Sequence, residues 1–154
     1  MNDTVSVKLP REIGEQLRAL SRSLQRPVTD TIASLLILGA QQWRVPLPIP
    51  GVVIESKPDG VCITVDDFAF SPLSPEQTVS LAHSFIDALE RSVTVLNLNP
   101  GHPDMIEVQR IGSGISISVT RQRIPEFRRV FSRGATRLLV HQMMTVASKA
   151  AIHG

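Results

Sequence analysis

Rings are the scarcest resource of this sequence: aromatic residues make up 4% of its 154 residues, with no Tyr and a single Trp. A platform that stacks the bases of single-stranded nucleic acid needs several exposed rings, so that class of function is disfavoured at the outset. Burial has to come from Val, Ile, Leu, Ala and Met. With 42% hydrophobic residues the chain can build a core, and disorder is not the expectation. Cysteine is nearly absent too. Cys62, alone in the chain, sits in the alternation Val61, Ile63, Val65; it excludes an intramolecular disulfide, fits a reducing compartment and is expected to be a small buried or half-buried side chain. Long apolar runs are missing as well. The longest, Ile32 to Ala40, is far too short to span a bilayer, and the N-terminus lacks a charged-then-apolar signal pattern. These absences predict a soluble, cytoplasmic protein with no membrane partner.

Charge is present in blocks. Residues 1–45 carry six Lys/Arg against four Asp/Glu, residues 46–107 two against nine, and residues 108–154 eight against one. The formal net charge of +2 therefore conceals segments of +2, −7 and +7.

Thr4 to Leu9 alternates polar and apolar residues, the period of a strand with one buried face, and Pro10 ends it. From Arg11, the apolar positions Ile13, Leu17, Leu20 and Leu24 recur at helical spacing. Pro27 stops that helix. Thr29 or Asp30 can cap a second one, over about residues 29–43, because a short side-chain oxygen accepts from unpaired N–H groups of the first turn. Ile32, Leu35, Leu36, Ile37 and Leu38 make this second helix too apolar for a surface element, so burial on more than one side is expected. Residues 46–51 place Pro at alternate positions (Pro46, Pro48, Pro50), which forbids helix and predicts a semi-rigid linker between domains 1–45 and 52–154.

Beyond the linker the chain repeats. Val53–Val65 aligns with Glu107–Val119, matching Gly60 with Gly114, Val61 with Ile115, Ile63 with Ile117 and Val65 with Val119. Each copy reads as strand, tight turn, strand around Asp59-Gly60 or Ser113-Gly114. A helix follows each. Ser74-Pro75-Glu76-Gln77 supplies an N-cap, a first-position Pro and an acidic first turn, and the second helix runs over about residues 132–151, with Thr78, Leu81 and His83 matching Thr136, Leu139 and His141. Residues 52–91 and 105–151 are thus expected to be two duplicated strand-strand-helix units, which makes the chain α+β.

A lone strand with one buried face leaves its backbone groups unpaired, and no second strand occurs in the next 40 or so residues. The natural partner is the same strand of a second subunit, antiparallel about a two-fold axis. The order strand, helix, short turn, helix in Val7-Lys8-Leu9-Pro10-Arg11-Glu12-Ile13, Leu17, Leu20, Arg26-Pro27-Val28-Thr29 and Ile32 resembles the ribbon-helix-helix family, which includes the Arc and methionine repressors. The resemblance covers residues 4–43. It implies an N-terminal dimerisation and DNA-binding domain whose ribbon enters the major groove of double-stranded DNA. Base contacts would then fall to Thr4, Ser6 and Lys8, which project from the face opposite Val5, Val7 and Leu9. Without the following helices, those three would be read as a solvated edge-strand face. The family also clamps phosphate on the start of its second helix, here Val28 and Thr29 with Arg26 beside them; Arg11 and Arg44 are further phosphate candidates or ordinary surface charges. Asp30 in that first turn is unhelpful to a phosphate.

A balance of +2 limits phosphate neutralisation by one dimer, so cooperative binding or help from elsewhere is expected. Arg121, Arg123, Arg128, Arg129, Arg133 and Arg137 are a second basic surface for such help. Alternatively, and with more weight, they meet the acids of the first unit, including Asp59, Asp66, Asp67, Glu76, Asp87 and Glu90, within the chain or in a higher homo-oligomer. No metal or cofactor is expected, since nickel-responsive members of the family use closely spaced His and Cys ligands, whereas His83, His102, His141, His153 and Cys62 are far apart in sequence. No catalytic residues are expected either. Gly112-Ser113-Gly114 lies within a hairpin, no Ser, His and acid cluster is evident, and Asp66-Asp67 would point to opposite faces of a strand. The expectation is a non-enzymatic, dimeric transcriptional regulator, a repressor, whose C-terminal domain oligomerises or senses an effector. The alternative is an antitoxin or plasmid-maintenance protein whose C-terminal domain binds a protein partner. Antitoxins usually act through a tail that folds on binding, whereas this C-terminal region is apolar enough to be folded already.

Overall fold

A computed structural model describes residues 6–44, 47–97 and 101–153. The chain is a mixed α+β protein. Two helices, α1 (Arg11–Ser23) and α2 (Val28–Trp43), form an N-terminal hairpin; then follow β1 (Val52–Lys57), β2 (Gly60–Val65), β3 (Phe68–Ala69), α3 (Pro75–Arg91), β4 (Val95–Asn97), β5 (Asp104–Ile111), β6 (Gly114–Arg121), β7 (Ile124–Phe131) and α4 (Arg133–His153). The strands make two antiparallel sheets, ordered β1-β2-β3 and β4-β5-β6-β7.

The two stretches matched in the sequence follow the same order of elements in three dimensions, and that order extends further than a hairpin and a helix. Each unit is a meander of three strands leading into a helix, because a third strand follows each hairpin, β3 of 2 residues in the first and β7 of 8 residues in the second. Gly60 opens β2 and Gly114 opens β6, and each lies where a Cβ would collide with a carbonyl oxygen, of Leu73 at 2.5 Å and of Phe131 respectively. Leu73 and Phe131 are themselves equivalent, both buried and each one residue before a helix-capping serine. At the first helix the sequence signal is realised in full, since Ser74 and Gln77 form a reciprocal capping box with Pro75 in the first turn. At the second, the Ser132 hydroxyl accepts from the Ala135 N–H at 3.2 Å. Thr78 and Thr136, both fully buried, return their hydroxyls to the carbonyls of Ser74 and Ser132 at 2.9 and 2.8 Å. Such back-bonding lets a polar side chain sit in a core without an orphaned donor.

The helices exchange cover. Helix α3 lies chiefly on β4, β5 and β6, α4 chiefly on β1 and β2, and the two pack against each other. Leu81 and Leu139, matched in the repeat, are both buried at this contact level, as are Phe85 and Met143. One core results, running from Ile49 through Val61, Ile63 and Val65 to Ile106, Ile115, Ile117 and Met143. Because Ile49 is 6% exposed and belongs to this core, residues 47–50 are anchored and do not act as a free spacer. The Gln142 amide donates to the Leu47 carbonyl and Arg129 donates to the Pro50 carbonyl, so α4 and β7 both grip the segment. Residues 45 and 46 lie outside the described residues. Polyproline geometry was read from composition; the single apolar side chain between two prolines decides the outcome.

A buried polar cluster closes the junction of the two sheets. The Asp104 carboxylate, with no exposed side-chain surface, accepts from the Ser71 N–H at 2.7 Å, the Ser71 hydroxyl at 3.1 Å and two nitrogens of Arg121 at 2.7 and 3.2 Å. Burial alone would push this carboxyl up, but the hydrogen bonds from Arg121 and Ser71 and the charge of Arg121 outweigh it and hold the group below its ordinary range. Arg121 also pairs with Glu126 and lies over the Phe68 ring, which stacks on Phe127.

Two outcomes follow for stability. Gly114→Ala is expected to lower unfolding free energy by about 1–3 kcal/mol in urea, since the strand must shift away from Phe131. Asp104→Asn is expected to cost about 2 kcal/mol at neutral pH. As the folded carboxyl is depressed, its stabilisation is present above the unfolded value of about 4 and fades as pH falls through the lower folded value. Acid titrations of the two proteins should therefore converge at the acid end.

Candidate nucleic-acid interface

Helix α1 follows Pro10 directly and packs on α2. The hairpin holds together through few buried groups. Ser21, buried, donates to the Thr31 hydroxyl at 2.9 Å, Thr31 donates to the Pro27 carbonyl, and Ala33 is the buried hydrophobic residue of the pair. By contrast, Leu9, Ile13, Leu24, Leu35, Leu36 and Leu38 are between 47% and 61% exposed except Leu35 at 46%, so the hairpin presents a broad apolar face. Ser6 to Leu9 precede it, exposed and paired with no strand among the described residues of their own chain; Val7 is 74% exposed. The burial expected for Val7 and Leu9 is thus not supplied by the single chain. Thr4 and Val5 lie outside the described residues.

The turn from α1 into α2 gathers cations. Arg18, Arg22 and Arg26 line a shallow hollow of about 440 Å³ together with Ser21, Gln25, Pro27 and Val28. None of the three arginines is ion-paired among the described residues. Helix α2 begins one residue earlier than expected, at Val28, with Pro27 in the N-cap position and no side-chain cap. Neither Thr29 nor Asp30 caps it. A proline cap offers no oxygen from its side chain, so the first-turn N–H groups at Val28 and Thr29 keep the partial positive charge of a helix N-terminus.

Asp30 has turned inward instead. It is 2% exposed and accepts from Arg133 at 2.6 Å and from Arg137 at 3.4 Å, both on α4. Arg137 reaches Glu90 of α3 as well. The carboxylate that seemed to oppose phosphate binding is neutralised by two guanidiniums of the C-terminal unit.

The remaining predicted residues separate into two groups. Ser6, Lys8 and Thr29 are exposed, and Arg11 forms only a surface pair with Glu15 at 2.8 Å. The second basic set is mostly engaged: Arg121 with Asp104 and Glu126, Arg129 with Asp66 at 2.8 Å and over the Phe131 ring, Arg133 and Arg137 with Asp30, and Arg128 with the Ser116 hydroxyl at 3.1 Å. Arg123 sits exposed in the β6–β7 turn with φ +66°. Of the acids named as partners, Asp66 and Glu90 meet arginines of the second unit, and Asp87 pairs within its own helix with Arg91. Asp66 adopts φ +53° in the turn after β2.

Arg18 and Arg22 escaped the sequence prediction. Their signal was the four-residue spacing of Arg18 and Arg22, which places both on one face of α1, with Arg26 in the turn just beyond the helix. Cys62 is half-buried. His83 is exposed and His141 half-buried, and they share no hydrogen bond; His102 bridges to the Asp104 backbone and the Pro72 carbonyl, the latter at 3.2 Å. Among the described residues no three His, Cys, Asp or Glu side chains converge as a metal site, and no helix is long and apolar enough to cross a membrane.

Asp30→Ala is expected to cost about 2 kcal/mol, because Arg133 and Arg137 lose a buried counter-charge but retain some contact with water. The measurement is urea unfolding, with the Asp30→Ala, Arg133→Ala double variant less destabilised than the sum of its singles. No protein-family model, curated protein or solved structure matches the chain.

Proposed function

We propose that this protein is a sequence-specific, DNA-binding transcriptional regulator, a repressor, that dimerises through an N-terminal ribbon-helix-helix domain. The observation that carries the reading is the α1–α2 junction, where Arg18, Arg22 and Arg26 surround a helix start without a side-chain cap. An anion gains there from both the cations and the oriented N–H groups, and the phosphate backbone of double-stranded DNA supplies anions at regular spacing. Neutralisation of Asp30 by Arg133 and Arg137 preserves that attraction.

The apolar face of the hairpin supports a homodimer. Uncovered leucines on both helices, next to an unpaired segment from Ser6 to Leu9, are what a second copy would cover when the two segments zip antiparallel. In that ribbon Val7 and Leu9 turn to the helices, and Ser6 and Lys8, with Thr4, turn to base edges in the major groove. Phosphate contacts fall to Arg18, Arg22, Arg26, Val28 and Thr29. The C-terminal unit, built on its own core, serves assembly or sensing.

Fluorescence anisotropy of the full chain on DNA from upstream of its own gene, across a salt series, tests the reading. Lys8→Ala and Ser6→Ala are expected to abolish preference for that DNA over a scrambled duplex while thermal unfolding is unchanged. Arg22→Ala and Arg26→Ala are expected to weaken both duplexes alike and each to reduce the log–log salt slope by about 1. Leu35→Glu should leave a monomer in sedimentation and lose tight binding. Undiminished discrimination in the Lys8 and Ser6 variants would defeat the assignment of the reading face.

A further inference from the structure

The C-terminal end of α2 borders a different kind of surface. Together with residues 47 and 48, β1 and the distal half of α4, it encloses a cleft of about 610 Å³, within the range of small-molecule sites. Ala40, Leu47, Pro48, Ile54 and Val146 make its apolar wall, and the Gln142 amide, donating to the Leu47 carbonyl, fixes one side. The charged side chains of its lining, Arg44 and Lys149, have one electrical sign. Arg44, His141 and Lys149 border it and no carboxylate does. Neither Arg44 nor Lys149 is ion-paired among the described residues, in a chain whose other C-terminal arginines mostly are. Arg44 terminates α2 in the left-handed conformation, φ 54° and ψ 38°, a backbone position that L-residues adopt sparingly.

We propose that this cleft binds a small amphipathic carboxylate, its apolar body against Ile54 and Val146 and its carboxylate between Arg44 and Lys149. The two features of the lining select for that class jointly. A neutral apolar molecule would leave the two cations without a partner, and a compact, multiply charged anion would gain nothing from the apolar wall. The cleft is also concave and flanked by two packed helices, which suits a small molecule better than the flat face of another protein.

Isothermal calorimetry on the full chain with decanoate as probe, and decan-1-ol of equal length as its uncharged control, tests the site without DNA; the result therefore stands apart from the regulator reading. The expected result is one decanoate per chain, with decan-1-ol bound about tenfold more weakly or worse. Lys149→Glu, at an exposed helix position, should weaken decanoate about tenfold and leave decan-1-ol unaffected. Val146→Trp should abolish binding of both by filling the wall, with an unchanged far-ultraviolet circular dichroism spectrum confirming the fold. Decanoate adsorbed on the apolar face of the N-terminal hairpin would be indifferent to Lys149→Glu. Indifference to that substitution, equal binding of acid and alcohol, or no saturable binding overturns the proposal.

Discussion

A carboxylate buried in the first turn of a helix has to be compensated by charge, and at Asp30 the compensation comes from more than 100 residues away in sequence. Removing a charge from water is costly, and the close Arg133 hydrogen bond at 2.6 Å with the longer Arg137 contact at 3.4 Å are what make the position tolerable. Because Arg133 and Arg137 both stand on α4, the pairing fixes α2 against α4. The Arg137–Glu90 contact carries the connection to α3. The same interaction sets the electrostatics of the hairpin. With Asp30 withdrawn, the start of α2 faces solvent with arginines and N–H groups only, so a structural ion pair on one side of the helix conditions the affinity for anions on the other.

The basic C-terminal third is used in the same way. A block of +7 beside a block of −7 suggests an electrostatic surface of its own, yet most of its arginines are engaged inside the chain. Arg129 reaches Asp66 across the two sheets, and Arg121 holds Asp104 at their junction. Two of these pairs, Arg129–Asp66 and Arg137–Glu90, cross-link the two halves of the C-terminal fold. The cations left over include Arg18, Arg22 and Arg26 at one end of α2 and Arg44 with Lys149 at the other, and they stand out because most of the C-terminal arginines are engaged.

Local chemistry was legible before any coordinates. Ser74-Pro75-Glu76-Gln77 announces a capped helix because each residue acts within one turn, and Asp59-Gly60 and Ser113-Gly114 announce hairpins for the same reason. The matched Thr78 and Thr136 were visible as a repeat, although their buried back-bonding was not. What escaped depends on distant partners. Asp30 resembles a helix cap by position, and only the approach of α4 makes it an ion-pair residue. Residues 46–51 resemble a spacer by proline content, and only the neighbouring sheet gives Ile49 a place to bury. Strands of two and three residues, β3 and β4, carry too little alternation to register. At the candidate interface, Arg26, Val28 and Thr29 were found through the family resemblance, whereas Arg18 and Arg22 needed the helix face to be seen whole.

The exchange of cover between α3 and α4 has a meaning for how the C-terminal unit holds together. Most of the sheet surface that each helix protects belongs to the other meander, α3 lying on β4, β5 and β6 and α4 on β1 and β2, while each also touches its own unit at β2 or β6. Cutting away either half would therefore bare most of the apolar sheet left behind, so the two meanders stand or fall as one cooperative piece.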